Sequence, residues 1–388
     1  MSIINPTVDI SEKDSKIFAS RQLLSFLKFP EPDEEAAFSA LAPSKRNFLI
    51  SALPDANLTA FTWQTQELYD VGGRLLFRDQ ILELDNENEI RVRTAASSLL
   101  RSPVWAVMAG PKIDFSALIE RALASLRERD LVPAVVDDDS RLICYSYPKL
   151  GLGFTRTDTN ERFIIDIGDL SIIPVDAFEE QEYPESVLTT WSPYDLVSPA
   201  TAGFLRQLWI RNLAALPLFK AGQSIVKAVR KNRSLILEEK TVNPELILVT
   251  QDSDNLCAIA TAVMILKHYG ITKTQAQVAA VMQPNSSGVE PEVQVAAFPV
   301  ISNGLLAAEL DEYPSFEKAR GEICDGRPFK SAVTGHARAC GGYKIEKGDR
   351  KFLYIYDPYA IYRGYTYYED WSAVSYVNSM YVRPNPLI

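Results

Sequence analysis

The sequence predicts an α+β chain in two parts, and three observations carry that reading. Residues 115–126 place apolar side chains three and four apart, which is the period of an amphipathic helix. Residues 142–167 then change to short apolar runs, Leu142-Ile-Cys-Tyr-Ser-Tyr and Phe163-Ile-Ile-Asp-Ile, separated by glycines and charges, which is a strand pattern. Beyond residue 245 an apolar helix over Cys257–Tyr269 precedes two further strand-like runs, 331–343 and 351–358.

In chain order, residues 1–18 are polar and are expected to fray. Ser20–Leu27 and Asp33–Leu41 read as short helices, with Pro30-Glu-Pro breaking the chain between them. Val104-Trp-Ala-Val-Met-Ala is a run that fills a buried strand. Asp114 is placed to cap the helix that starts at Phe115. Asp137-Asp-Asp reads as a solvated turn rather than a metal site, because no second cluster of ligands stands near it in sequence. Gly151-Leu-Gly reads as a turn; without a full GxGxxG it carries no dinucleotide signal. Ala200–Val229 is helical in pattern. Arg230–Pro244 is polar and ends in proline, so the domain boundary is expected there. The expected units are a mixed α+β N-terminal domain over 19–235, with substrate recognition as its role, and a C-terminal domain over 245–388.

The 388 residues exceed a usual single domain, which favours two. The hydrophobic share of 47% is ample for real cores, and the formal net charge of −10 argues against a general nucleic-acid binder. The start, MSIINPTVDISEKDSK, has neither the basic nor the apolar segment of a secretory signal. No run reaches about 18 apolar residues, so no membrane span is expected. The cysteines, Cys144, Cys257, Cys324 and Cys340, form no CxxC pair, so neither a metal knuckle nor a cofactor is expected. Reduced thiols and a cytoplasmic location are the expectation.

The chemistry concentrates after residue 245. Ser253, Asp254 and Asn255 are capping residue types, and Gly270 is a natural stop, so Cys257 falls in the first turn of a buried helix. Unpaired amides and the positive end of the helix dipole stabilise a thiolate there. The plain alternative is a small buried core cysteine.

A thiolate nucleophile needs a base, and the chain has two histidines. His268 lies eleven positions along the same helix, about 16 Å from Cys257, and cannot serve it. His336 remains, in a run over 331–343 that reads as a strand. A hairpin through Glu346-Lys347-Gly348-Asp349 joins it to Lys351-Phe-Leu-Tyr-Ile-Tyr-Asp-Pro. A turn centred on Lys347-Gly348 sets Asp357 opposite Arg338 and diagonal to His336, with a bulge at Gly341-Gly342 able to shift this by one residue. A carboxylate there would orient the imidazole. Gln251, six residues before Cys257, and the Cys257 N–H are candidate donors to an oxyanion, worth about 3–4 kcal/mol each.

Gln251-x5-Cys257, Gly335-His336-Ala337, Gly342-Tyr343 and Tyr356-Asp357-Pro358 together resemble the papain-like cysteine peptidases of the bacteriocin-processing C39 type and their C39-like relatives. The resemblance covers roughly residues 245–388. It implies a cysteine-bearing helix packed on an antiparallel sheet that carries the histidine and the aspartate. It implies a cysteine peptidase acting on a peptide or protein substrate, with Gln251, Cys257, His336 and Asp357 as the catalytic set. Ala258 departs from the glycine or tryptophan usual after the cysteine, and no transporter domain is attached, so an export role does not carry over. An acyltransferase would use the same four residues with an amine replacing water, and a non-catalytic binding relative would keep the fold alone. Cys144, Cys324 and Cys340 are expected to be structural, and the Tyr359–Tyr368 stretch to be amphipathic strand and turn surface.

Overall fold

The structure is a computed structural model that describes residues 9–27, 62–84, 87–129, 134–136, 141–156, 159–175, 191–218, 228, 235–253, 255–285, 288–363 and 365–385. The expected helix Asp33–Leu41, the Asp137-Asp-Asp turn and residues 230–234 lie outside them.

The N-terminal part opens with helix α1 (Glu12–Leu23), capped by Ser11, whose side chain accepts from the Asp14 N–H. A frayed segment through residue 18 is therefore not what forms: Phe18, Ala19 and Leu23 turn inward and are buried. Four antiparallel strands follow, β1 (Gln64–Tyr69), β2 (Leu75–Glu83), β3 (Asn88–Ala95) and β4 (Val104–Pro111). Helix α2 (Phe115–Glu128) starts at Asp114, whose carboxylate accepts from the Ala117 N–H. Then come β5 (Ala134–Val136), β6 (Leu142–Ser146), β7 (Lys149–Arg156), β8 (Arg162–Asp166) and β9 (Ile172–Pro174). Gly151 and Gly153 lie within β7 rather than in a turn, because the β6–β7 hairpin closes earlier, through Tyr147-Pro148. Helix α3 spans Pro199–Ala214 with Pro199 at its first position, shorter than the helix expected to reach Val229.

Strand β10 (Ile236–Thr241) lies inside the stretch expected to be a linker and pairs with β13. Helices α4 (Cys257–His268), α5 (Gln275–Met282), α6 (Pro291–Ile301) and α7 (Phe316–Cys324) are interleaved with strands β11 (Leu306–Asp311), β12 (Phe329–Val333), β13 (His336–Glu346), β14 (Arg350–Tyr356), β15 (Thr366–Asp370) and β16 (Asn378–Pro384). Among the described residues no helix is long and apolar enough to cross a membrane.

One sheet joins both parts, in the order β11-β16-β12-β13-β14-β15-β4-β3-β2-β1-β6-β7-β8-β9, with β10 on β13 and β5 on β7. Its seam is the antiparallel pair β15–β4, Thr366↔Ala109 through Glu369↔Ala106. An apolar cluster likewise runs from Phe18 and Trp105 to Tyr354 and Tyr381. The end of α1 and the turn after it reach the β13–β14 hairpin: Lys344 Nζ donates to Ser25 O at 2.5 Å, Arg350 donates to Gln22 Oε1, and Phe26 meets Phe352 edge-on. The sheet thus runs across the boundary expected at 230–244.

The run 331–343 is two strands, not one. Thr334-Gly335 turns the chain so that Val333 pairs with His336. Gly335 sits at φ +65°, the left-handed region that glycine enters without a steric cost. His336 therefore stands at the mouth of a hairpin. Glycine also sets the β13–β14 register. Pairing of Glu346 with Arg350 centres the turn on Gly348, which sets each partner one residue later than a turn centred on Lys347-Gly348 would. The bulge between Cys340 and Gly342 then shifts the register back, pairing Ala339 with Tyr356. Asp357 follows immediately, level with Arg338.

Candidate active site

Cys257 is the first residue of α4, whose next nine residues are all buried. The helix packs on β13, and Thr261 Oγ1 donates to Ala337 O at 3.3 Å. Among the described residues no side chain caps the start: Leu256 is the N-cap residue, neither Ser253 nor Asn255 fills the expected role, and Asp254 lies outside the described residues. None of the described side chains therefore accepts from the first amides of the helix. Gly270, at φ +76°, ends the helix as expected, with the Ile271 N–H donating to Leu266 O.

His336 is fully buried and presents Nε2 to Asp357 Oδ1 at 2.6 Å. The carboxylate only accepts, so Nε2 carries the proton. Nδ1 is buried with no hydrogen bond of ordinary geometry. With Nε2 taken, Nδ1 is the nitrogen left for the Cys257 thiol, and the two side chains interact strongly. The Cys257 sulfur also accepts from the Ala337 N–H at 3.5 Å, and the residue stays partly exposed.

Burial alone would raise the Cys257 pKa. The nearness and charge of His336, the charge of Lys149 and the Ala337 amide outweigh it, and the thiol is lowered from its ordinary value. Burial alone would lower His336; the Asp357 charge and hydrogen bond, with Cys257, prevail and raise it to about 9. Burial opposes the Asp357 charge too, yet His336, Arg338 and Tyr367 hold that carboxyl below its ordinary value. The site therefore favours a thiolate–imidazolium pair. By contrast, burial pushes Cys144 and Cys340 up to about 12, where they are inert as nucleophiles. Cys324 ends α7 beside the Tyr343 hydroxyl at 3.2 Å.

Gln251 is held near by its backbone N–H, which donates to Pro358 O at 2.9 Å, one residue past Asp357. Its side-chain nitrogen donates to Ser253 O at 3.2 Å, leaving a second N–H to give, and its buried oxygen has no partner. Gln275 braces this loop by accepting from the Asp252 N–H and donating to Thr250 O. His268 lies at the far end of α4, bridging Pro244 O at 2.8 Å and Gly326 O at 3.0 Å.

Several residues around the site carried no signal in the sequence. Tyr367 donates to Asp357 Oδ2 at 2.6 Å, and Arg338 reaches both Tyr367 and the fully buried Glu369. The Tyr359 N–H donates to Asp357 Oδ1 at 2.9 Å, and its hydroxyl bonds Asp166 at 2.7 Å. The Tyr359 ring lies over Gly168, where an added Cβ would meet it at 2.6 Å. Tyr359, Tyr362, Tyr365, Tyr367 and Tyr368 are all buried, so this stretch is core and not surface. Asp166 and Lys149 come from β8 and β7, far back in the chain. Asp166 is linked to residues beyond 330 by the Tyr359 hydroxyl, and no spacing motif could have found either residue.

Residues 244–380 match the model of the Peptidase_C39 like family. Among solved structures, a double glycine motif protease from an AMS/PCAT transporter, in complex with the leader peptide, is 17% identical with a TM-score of 0.29. That match covers 37% of this chain and 98% of that one. The peptidase domain of Streptococcus ComA, a bifunctional ABC transporter involved in quorum sensing, is 15% identical with a TM-score of 0.27, over 35% of this chain and 97% of that one. No curated protein matches the chain.

Proposed function

We propose that the chain is a cysteine peptidase in which Cys257 is the nucleophile, His336 the general acid and base, and Asp357 the group that orients the imidazole. The observation that carries this is the arrangement of His336: Nε2 on Asp357 at 2.6 Å, and Nδ1 left for a partly exposed thiol at a helix start. The family match over 244–380 supports the same class.

In this reading the Cys257 thiolate attacks the scissile carbonyl carbon, and the carbonyl π electrons move to oxygen. The Cys257 N–H and the free N–H of Gln251 receive the oxyanion. As the tetrahedral intermediate collapses, the C–N bond breaks and the His336 Nδ1–H protonates the leaving amine. A thioester on Cys257 remains. Water, giving its proton to Nδ1, attacks the thioester carbonyl, and collapse expels the Cys257 thiolate and releases the acid. No metal or cofactor enters these steps.

The N-terminal strands take part in substrate positioning, supported by the contact of the β6–β7 tip with the His336 turn, where Ser146 Oγ donates to Thr334 O at 2.9 Å. The unpaired state of all four cysteines supports a reducing compartment such as the cytoplasm. Intact-mass measurement of the full chain with candidate peptides and acyl donors tests the reaction class. Two cleavage products are expected. An acyl group passed to an amine would replace the peptidase with a transferase, and an unchanged mixture across a broad peptide set would favour a binding protein.

A further inference from the structure

We propose that Lys149 forms a carboxylate-binding subsite beside Cys257, and that the substrate carries a carboxylate next to its scissile bond. This deepens the peptidase reading and rests on it.

Lys149 is the first residue of β7, at the tip of the β6–β7 hairpin, paired with Ser146. Hydrogen bonds on either side fix the tip to the two loops that build the site. Ser146 Oγ donates to Thr334 O, two residues before His336. Leu150, the neighbour on the other side, meets the Tyr359 hydroxyl through both its N–H at 3.2 Å and its carbonyl at 3.0 Å. Tyr359 in turn bonds Asp357. Lys149 is thus carried to the catalytic centre by residues nearly 200 positions away from that centre in sequence.

The Lys149 side chain is 3% exposed and makes no hydrogen bond or ion pair among the described residues. The stem is buried while Nζ is not among the fully enclosed unpartnered atoms, so the ammonium keeps some contact with solvent and is open to an incoming anion. Other buried cations of the chain do have carboxylate partners: Arg93 with Asp79, Arg338 with Glu369, Arg350 with Asp370. The charge of Lys149 lowers two acids, Cys257 and Asp166, in keeping with the place of the hairpin tip between the Thr334 and Tyr359 loops. Asp166 already accepts from the Tyr145 hydroxyl and the Gly168 and Asp169 amides, and the Tyr359 hydroxyl, which it shares with Leu150 O, lies 2.7 Å away. Burial and Asp169 push the Asp166 pKa up to about 7, so it is a weak counter-ion at neutral pH. The site therefore holds a cation with no fixed partner beside the nucleophile, and a substrate carboxylate supplies one. That carboxylate is an acidic side chain or a chain end, since both present the same charge and oxygens.

The test uses iodoacetate and iodoacetamide, which alkylate the same sulfur but differ by a carboxylate. Rates at Cys257 are measured on the full chain by peptide mapping, each divided by the rate of free cysteine in the same buffer. The relative preference of Cys257 for iodoacetate should exceed that of free cysteine by roughly tenfold, the order expected for one nearby unit charge in a partly wet site. It should disappear in Lys149→Met, a substitution close in volume, and persist in Lys149→Arg. N-acetylglutamate α-amide and N-acetylalanine, as competitors, separate the two sources: protection by the first marks a side-chain carboxylate, by the second a chain end. Protection by neither, or a preference equal in the native chain and Lys149→Met, overturns the subsite while leaving a reactive Cys257 and the peptidase reading intact. A Cys257 inert to both reagents overturns the reading and the subsite together.

Discussion

Asp357 holds His336 Nε2 at 2.6 Å with both side chains shut away from solvent, and this pair fixes which ring nitrogen can serve Cys257. The aspartate is itself fixed from three sides, by His336, Tyr367 and the Tyr359 amide. The imidazole is therefore held through Nε2, and Nδ1 is the ring nitrogen without a hydrogen bond.

Cys257→Ala and His336→Ala should each reduce turnover by a factor on the order of 10⁴ or more, with the double variant little worse than either, because residues acting as one unit are strongly non-additive. Asp357→Asn should lose less, since an amide oxygen can still receive the Nε2 proton. His268→Ala should turn over normally and lose about 1 kcal/mol of stability with its carbonyl contacts. Steady-state kinetics on folded variants decide this. An active His336→Ala protein would end the mechanism.

The thiolate–imidazolium pair sets the pH profile. His336 is raised from 6.5 to about 9 and Cys257 is lowered, so the active form exists between the two values. kcat/KM should fall as pH rises through about 9, and again as pH falls through the lowered thiol value; both limbs belong to the pair. The stability that His336 gains from its partners is fully present below about 6.5 and is lost as pH rises through about 9. Asp357→Asn removes the main charge that raises His336, so its alkaline limb should move to lower pH. A limb that stays in place would show that Asp357 does not set the imidazole.

Tyr367→Phe removes the donor to Asp357 Oδ2 and the acceptor of an Arg338 N–H. Leaving buried polar groups unpaired costs about 1–3 kcal/mol. Urea unfolding should report a loss of that size. No loss would mean that water or a side-chain shift replaces the hydroxyl.

From sequence alone a fragment of residues 240–388 holds the whole catalytic set, and Cys257 labelling would be expected to survive in it. The structure changes that expectation. The fragment lacks β4, which completes β15, and the turn after α1, which supplies Ser25 O to the buried Lys344. It also bares Tyr359, Tyr362 and Tyr365. It should be insoluble or lack native near-UV circular dichroism. A soluble fragment with native spectra and turnover would show that the shared sheet is dispensable.

The sequence was informative where the physics is local. The helix start at Cys257, the stop at Gly270 and the cap at Asp114 need only neighbouring residues. The position of Asp357 was legible because a hairpin register follows from one turn, and a turn displacement and a bulge happened to cancel. The capping at Ser253 and Asn255 failed because residue type alone does not place a side chain over the helix. Strand β10 was not legible within 230–244, because polarity marks exposure of one strand face as readily as a linker. Lys149, Asp166 and Tyr359 were silent because their meeting depends on a sheet seam between strands more than 250 residues apart, β4 and β15.

The pH dependence of Cys257 alkylation by iodoacetamide, mapped by mass spectrometry in the native chain and in His336→Ala, tests the central claim most directly. The account predicts that Cys257 reacts first among the four cysteines. It predicts that the reaction persists well below the ordinary thiol range of about 8.5, and that His336→Ala loses this low-pH reactivity. Labelling of Cys324 or Cys340 ahead of Cys257, or a Cys257 profile with an ordinary thiol midpoint unchanged by His336→Ala, would contradict it.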